Sequence, residues 1–144
     1  MENLIKTFFI KHRDFVHAGK PSIEIKNILK SLNTPPDIIR RVAVCGYEGE
    51  MNVVMHAYNG RMNLALSATR IEIRITDKGP GIQDIDQAMQ VGFSTAPDEF
   101  REMGFGAGMG LPNMKKNADR FEIISAPGEG TTITMEFKTR GSDG

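Results

Sequence analysis

The chain has 144 residues, of which 40% are hydrophobic, and its 18 basic and 18 acidic side chains give a formal net charge of zero. That length suits one domain with a buried core, and the balanced charge excludes a global field that would draw it to nucleic acid or anionic lipid. A single cysteine, Cys45, excludes an internal disulfide and fits a reducing, cytoplasmic setting; no apolar run approaches a membrane span, and MENLIKTFFIKHRDF is broken by charge too early for a signal peptide.

Residues 4–10 read as a first strand. Gly19-Lys20-Pro21 is a break, after which Ser22 is the expected N-cap of a helix with Ile25, Ile28, Leu29 and Leu32 at helical spacing. A second break, NTPPD, precedes a longer helix with Ile38, Ile39, Val42, Cys45 and Val53 on its apolar stripe, ending near Tyr58-Asn59-Gly60. Gly46 and Gly49 cost that helix roughly 1 kcal/mol each against alanine, so a close neighbour is expected there.

Two alternating strands follow, one carrying Met62, Leu64, Leu66 and Ala68, the other Ile71, Ile73 and Ile75. A short helical patch is expected at 85–89 and a helix at 111–118 with Pro112 in its first turn. A final hairpin pairs 121–125 with 131–137 across APGEG. The order predicts a two-layer α/β (α+β) sandwich, with helices on one face of a mixed, mainly antiparallel sheet. Residues 1–138 are read as one domain and 139–144 as a disordered tail.

Glycine marks the unusual segment. Between Asp77 and Leu111 lie Gly79, Gly81, Gly92, Gly104, Gly106, Gly108 and Gly110, although glycine raises the entropic cost of ordering any element. On the long helix, Glu48 and Asn52 stand four residues apart and share one face. A carboxylate and a carboxamide on adjacent turns suit a water and a hard cation, since magnesium takes oxygen ligands and needs few from protein. A solvated polar flank is the alternative. In ITDKGPGI, Asp77 at a strand end can accept from a fixed donor such as an exocyclic amine, with Gly79 and Gly81 admitting a flat ligand. The alternative is a tight turn. In MGFGAGMGLPNMKKNADRF, alternating glycines run into a helix N-terminus whose amides can cradle phosphate. The pattern is neither GxxxxGK[ST] nor a strand-borne GxGxxG, and a loop of no chemical importance is its alternative. Gly130-Thr131-Thr132 opens a strand with hydroxyls able to meet a ligand, or reflects β-propensity alone.

Taken in order, these elements resemble the GHKL superfamily of gyrase-type ATPases, Hsp90 chaperones, histidine kinases and MutL. The resemblance rests on Glu48, Asn52, His56 and Ala57-Tyr58; on Asp77-Lys78-Gly79-Pro80-Gly81-Ile82; on 104–111; and on Gly130-Thr131-Thr132, and it covers roughly 35–137. NVVMHAYNG, GFST and GFGAGMGL look most like anti-sigma factor serine kinases. The resemblance implies a Bergerat-type fold that binds ATP with magnesium and passes the γ-phosphate to a serine of an anti-anti-sigma (STAS-domain) protein. A sigma factor is a second implied partner, and a homodimer an implied assembly.

Carried over by residue, it implies Glu48 as general base and Asn52 as magnesium ligand. Asp77 would receive the adenine amino group, with Gly79 and Gly81 beside the base. Gly104, Gly106, Gly108, Gly110 and Leu111 would line the phosphates, and Thr132, with Thr131 less so, would support the adenine. The segment between the glycine knots would be a lid closing over nucleotide. One departure stands out. Many relatives carry a lysine two or three residues after the asparagine, where this chain has Met55, with Arg101 or Lys115 as candidate substitutes.

Three other readings remain open at this level. One is a nucleotide-gated partner-binding module without kinase turnover, and another a GHKL ATPase subunit of a larger complex. The third is a detached histidine-kinase catalytic domain, disfavoured because His12, His17 and His56 lack a phosphoacceptor setting. Cys45 is read as a small buried hydrophobe.

Overall fold

The computed structural model describes residues 4–11, 14, 16–56, 59–82, 84–90 and 110–139, the side chain of His56 excepted. The glycine-rich stretch 91–109, with Gly92, Arg101, Gly104, Gly106 and Gly108, lies outside the described residues, as do His12 and the expected tail beyond Thr139.

The elements are β1 (Leu4–Lys11), α1 (Lys20–Ser31), α2 (Pro36–His56), β2 (Asn59–Leu66), β3 (Arg70–Asp77), α3 (Ile85–Ala88), α4 (Gly110–Asn117), β4 (Arg120–Ser125) and β5 (Thr131–Lys138). The strands form one sheet in the order β1-β2-β3-β5-β4, and each neighbouring pair is antiparallel. No parallel ladder occurs among the described residues, so the mixed component of the expectation is absent there. Joining β3 to β5 requires a crossover, and that crossover carries α3, α4 and β4.

Alternation determines which face is covered. Met62, Leu64 and Leu66 of β2, Ile71, Ile73 and Ile75 of β3, and Ile133, Met135 and Phe137 of β5 are buried beneath the helices. Ile25 and Leu29 of α1, Val42, Cys45 and Val53 of α2, and Leu111 and Met114 of α4 complete the core. Cys45 is wholly buried with its Sγ 3.6 Å from the Met114 carbonyl, and burial pushes its thiol up to about 12. Among the described residues no helix is long and apolar enough to cross a membrane.

Of the two helix glycines, Gly49 has the close neighbour its cost demanded, whereas a side chain at Gly46 would make only ordinary contacts. A Cβ on Gly46 would sit 3.8 Å from Ile73 Cδ1, and one on Gly49 would overlap Ile75 Cδ1. One turn further on, Val53 packs against Gly60, whose strand partner is Asp77. The helix α2 therefore runs alongside β3 and reaches the end of that strand together with it.

The start of α1 differs from the expectation. Its N-cap is Gly19, in the left-handed region at φ 97°, and Ser22 lies inside the first turn. Ser22 donates its hydroxyl to Glu50 Oε1 at 2.8 Å, while the Gly19 N–H donates to Glu50 Oε2 at 2.5 Å. The serine that precedes the apolar stripe thus bonds across to α2 rather than back to its own helix. Glu50 is only 1% exposed, and removing it strands two buried donors. Glu50→Ala is expected to destabilise the fold by about 2–4 kcal/mol, read by urea denaturation; a change within experimental scatter would show that α1 docks without this contact.

Candidate functional site

Both sequence motifs with carboxylates lie towards the same end of the α2–β3 unit, Glu48 and Asn52 on α2 and Asp77 at the last residue of β3. Because Gly49 and Val53 face the sheet, Glu48 and Asn52 stand beside them on the flank turned to α4. The first residue of α4 closes the gap: a Cβ on Gly110 would lie 3.1 Å from Glu48 Oε2, 3.5 Å from Asn52 Oδ1 and 3.9 Å from Asn52 Nδ2. Any side chain at Gly110 would occupy the space between these groups.

Glu48 is half-buried, and burial raises its carboxyl above the ordinary value, with a hydrogen bond from the Asn113 side chain pulling the other way. Asn113 was not among the residues singled out from sequence, although its place three residues after Gly110, on the same face of α4, could have indicated it. Leu111, the next residue, is buried in the core. Met55 is likewise buried among apolar side chains, and Lys115 is exposed on α4.

The second cluster surrounds Asp77. Its Oδ1 accepts the Gly79 N–H at 2.8 Å and the Thr131 N–H at 3.2 Å, and neither bond uses Oδ2. The bond to Gly79 is the local turn that the alternative reading expected, so Asp77 does hold the turn, but with one oxygen only. Burial raises the Asp77 carboxyl, and the two N–H donors offset part of that rise.

The loop after Asp77 is fixed at nearly every residue. Lys78 N–H donates to the Asn59 carbonyl at 3.2 Å, and the Pro80 carbonyl accepts the Gly128 N–H at 2.6 Å. Ile82 N–H donates to Ser125 Oγ at 2.8 Å. Gly81 has φ 77° and presses its Cα against the Ala126 carbonyl, and Gly130 has φ 78° beside the Asp77 carbonyl. At both positions a left-handed backbone and a backbone neighbour leave room for glycine alone.

Strand register separates the two threonines. Thr131 pairs with Asp77 and shares the helix-covered face with Ile133 and Met135, whereas Thr132 pairs with Thr76 on the opposite face. Thr132, which the expectation weighted over Thr131, lies on the face away from the helices, and Thr131 is the one in register with Asp77 on the covered face. The period of two in a strand decides this, and the sequence alone did not reveal which of two adjacent threonines faced inward. Among the described residues no group of three or more His, Cys, Asp or Glu is arranged as a metal cage.

The residues 44–141 match the family of histidine kinase-, DNA gyrase B- and HSP90-like ATPases, and the chain belongs to that family. Among curated relatives it is 37% identical over 101 residues to the anti-sigma F factor of Thermoanaerobacter sp. (strain X514), a match covering 67% of this chain and 66% of that protein. It is 33% identical over 112 residues to the serine/threonine-protein kinase RsbT of Bacillus subtilis (strain 168), covering 75% and 78% respectively. The chain thus spans just under two thirds of the length of the first of these relatives. The fold is shared with the mycobacterial sensor histidine kinase MprB, with a TM-score of 0.55 at 17% identity over 95% of this chain and 99% of that one.

Both carboxyls titrate above their ordinary values, so the native state holds these protons to higher pH than the unfolded chain. Their contribution to stability is present below the unfolded carboxylate range, near pH 4, and is lost as pH rises through the native values. Glu48→Gln and Asp77→Asn, which keep an acceptor oxygen, are each expected to raise the melting temperature at pH 7 by about 2 °C. The gain should disappear at pH 4 in melts followed by circular dichroism. Equal melting temperatures at pH 7 would contradict the desolvation of these groups.

Proposed function

We propose that the chain is an ATP-dependent protein serine kinase of the anti-sigma regulatory type, acting on a serine of an anti-anti-sigma (STAS-domain) protein. The observation that carries the reading is the meeting of Glu48 and Asn52 at Gly110, where any Cβ would fill the gap between their oxygens and α4. The family match and the likeness to an anti-sigma F factor and to the kinase RsbT support the same assignment.

Each residue has a physical task in this reading. Asp77, with Oδ1 held by two amides, offers Oδ2 to the amino group of adenine, and Gly79 and Gly81 give the base access to backbone. Thr131 supports the base from the same face. The Asn52 carboxamide oxygen is the protein's ligand to magnesium, a hard cation that suits oxygen donors and takes the rest from phosphates and water. When bound, that ion neutralises phosphate charge. Gly110 lets the first turn of α4 approach the phosphates with its free N–H groups; Gly104, Gly106 and Gly108 are proposed to extend this wrapping, with the intervening segment as the lid.

Glu48 accepts the proton of the incoming serine hydroxyl as its oxygen forms the new bond to the γ-phosphorus and the bond to the β-phosphate oxygen breaks. Its raised affinity for protons suits a base that must hold one after transfer. Positioning and charge neutralisation supply the remainder, which is why so few side chains suffice. Residues 1–138 are the proposed extent of this kinase domain. A sigma factor as a second bound partner, and a homodimer as the assembled form, belong to the same proposal.

Calorimetry with Mg-ATP and Mg-ADP, combined with phosphoserine detection on a STAS protein captured by the chain, tests the reading. Glu48→Gln is expected to keep nucleotide affinity and to lower transfer by about 10²–10⁴-fold. Asp77→Asn should weaken ATP binding by about 1.5–3 kcal/mol while the fold persists. Saturable ATP binding with no phosphoserine would favour a nucleotide-gated binding module, and the absence of any nucleotide affinity would sink the proposal.

A further inference from the structure

The Ser125 hydroxyl, at the last residue of β4, joins three segments of chain. It stands 2.8 Å from the Ile82 N–H, 3.0 Å from the Gly130 carbonyl and 2.8 Å from the Thr131 hydroxyl. A serine hydroxyl has one proton to donate and two lone pairs with which to accept. The Ile82 amide can only donate, and the Gly130 carbonyl can only accept. The Ser125 proton therefore goes to Gly130, one lone pair takes the Ile82 N–H, and the other takes the Thr131 proton. Distance alone permits either direction between the two hydroxyls; the count of protons permits one.

That count has a chemical result at the neighbouring strand. With its proton held by Ser125, Thr131 Oγ1 keeps only lone pairs for a further partner, and it shares a sheet face with its strand partner Asp77, whose Oδ1 is already occupied by the Gly79 and Thr131 amides. We propose that Ser125 is a positioning residue that fixes Thr131 Oγ1 as a second hydrogen-bond acceptor beside Asp77 Oδ2, so that the site selects a 6-aminopurine nucleotide over its 6-oxo counterpart. The inference rests on the nucleotide-binding reading above.

An amino group carries two protons and is matched by two acceptors. A 6-oxo group carries none and would set a third acceptor against them, leaving polar atoms unpaired. Without the Ser125 hydroxyl the Thr131 rotor is free to turn its proton towards the ligand and tolerate the oxo group. Ser125 also holds the Ile82 amide, so the loop that approaches the base and the hydroxyl that reads it are set by one oxygen.

The test compares Mg-ATP with Mg-inosine triphosphate by calorimetry on the full chain. The unmodified protein is expected to prefer ATP by about 100-fold. Ser125→Ala should reduce that preference about tenfold, and Ser125→Thr, which keeps the hydroxyl, should restore it. Thr131→Val should reduce it similarly and add nothing further in the Ser125→Ala background. An unchanged preference in Ser125→Ala, or fully additive effects of the two substitutions, would overturn the proposal while leaving nucleotide binding intact. If Ser125→Ala does not fold, Thr131→Val decides: an unchanged preference overturns the proposal, and a lowered one restored by Thr131→Ser upholds it. Binding of neither nucleotide by the unmodified protein would instead overturn the reading on which the proposal stands.

Discussion

The contact on which the site depends is the close approach of α2 to β3 through Gly49. With no side chain there, the helix backbone settles onto Ile75, and the flanking residues of the same turns are brought level with the strand end. Glu48 and Asn52 then stand on the turns of α2 that run to the Asp77 end of β3, although 25 to 29 residues separate them from Asp77 in sequence. A helix glycine that weakens the helix locally, by about 1 kcal/mol, thus determines where its polar flank sits.

The two halves of the site are built by different means. Around Asp77 the backbone itself is the scaffold: hydrogen bonds at Lys78, Pro80 and Ile82 fasten the loop to β2 and to the β4–β5 hairpin, and one at Gly79 ties it to Asp77 itself. Around Glu48 and Asn52 the scaffold is a helix pair, α2 against α4. Carboxyls in both halves are held above their ordinary values chiefly by burial, which opposes their charged forms.

Much of the fold was legible in the sequence because its signals are periodic. Alternating isoleucines marked β3, apolar spacing marked α1 and α2, and Pro35-Pro36 marked the break between them; these fixed both the element order and the two-layer arrangement. Ser22 misled because a hydroxyl before an apolar stripe signals a helix cap whether it bonds to its own helix or, as here, to a carboxylate 28 residues away. The faces of Thr131 and Thr132 were not legible because adjacent strand residues differ only by face, and face follows from register with β3. Asn113 and Ser125 were missed because each acts through a contact with another element, and neither stands in a spaced motif. The glycines of the second knot that precede Gly110 fall outside the described residues, and their roles rest on the resemblance.

The seating of α4 has a mechanical corollary. Arg41 donates to the Asn117 carbonyl at 2.8 Å and reaches Asp119 at 3.3 Å, tying down the far end of the helix. Cys45 meets Met114 in the middle, and Glu48 meets Asn113 and Gly110 at the near end. Sliding α4 lengthwise would sever every one of these ties together, whereas tilting it about Asn117 severs only those next to Glu48. The helix is thus a lever pivoted at Asn117, and its long arm ends at Gly110, beside the half-buried Glu48.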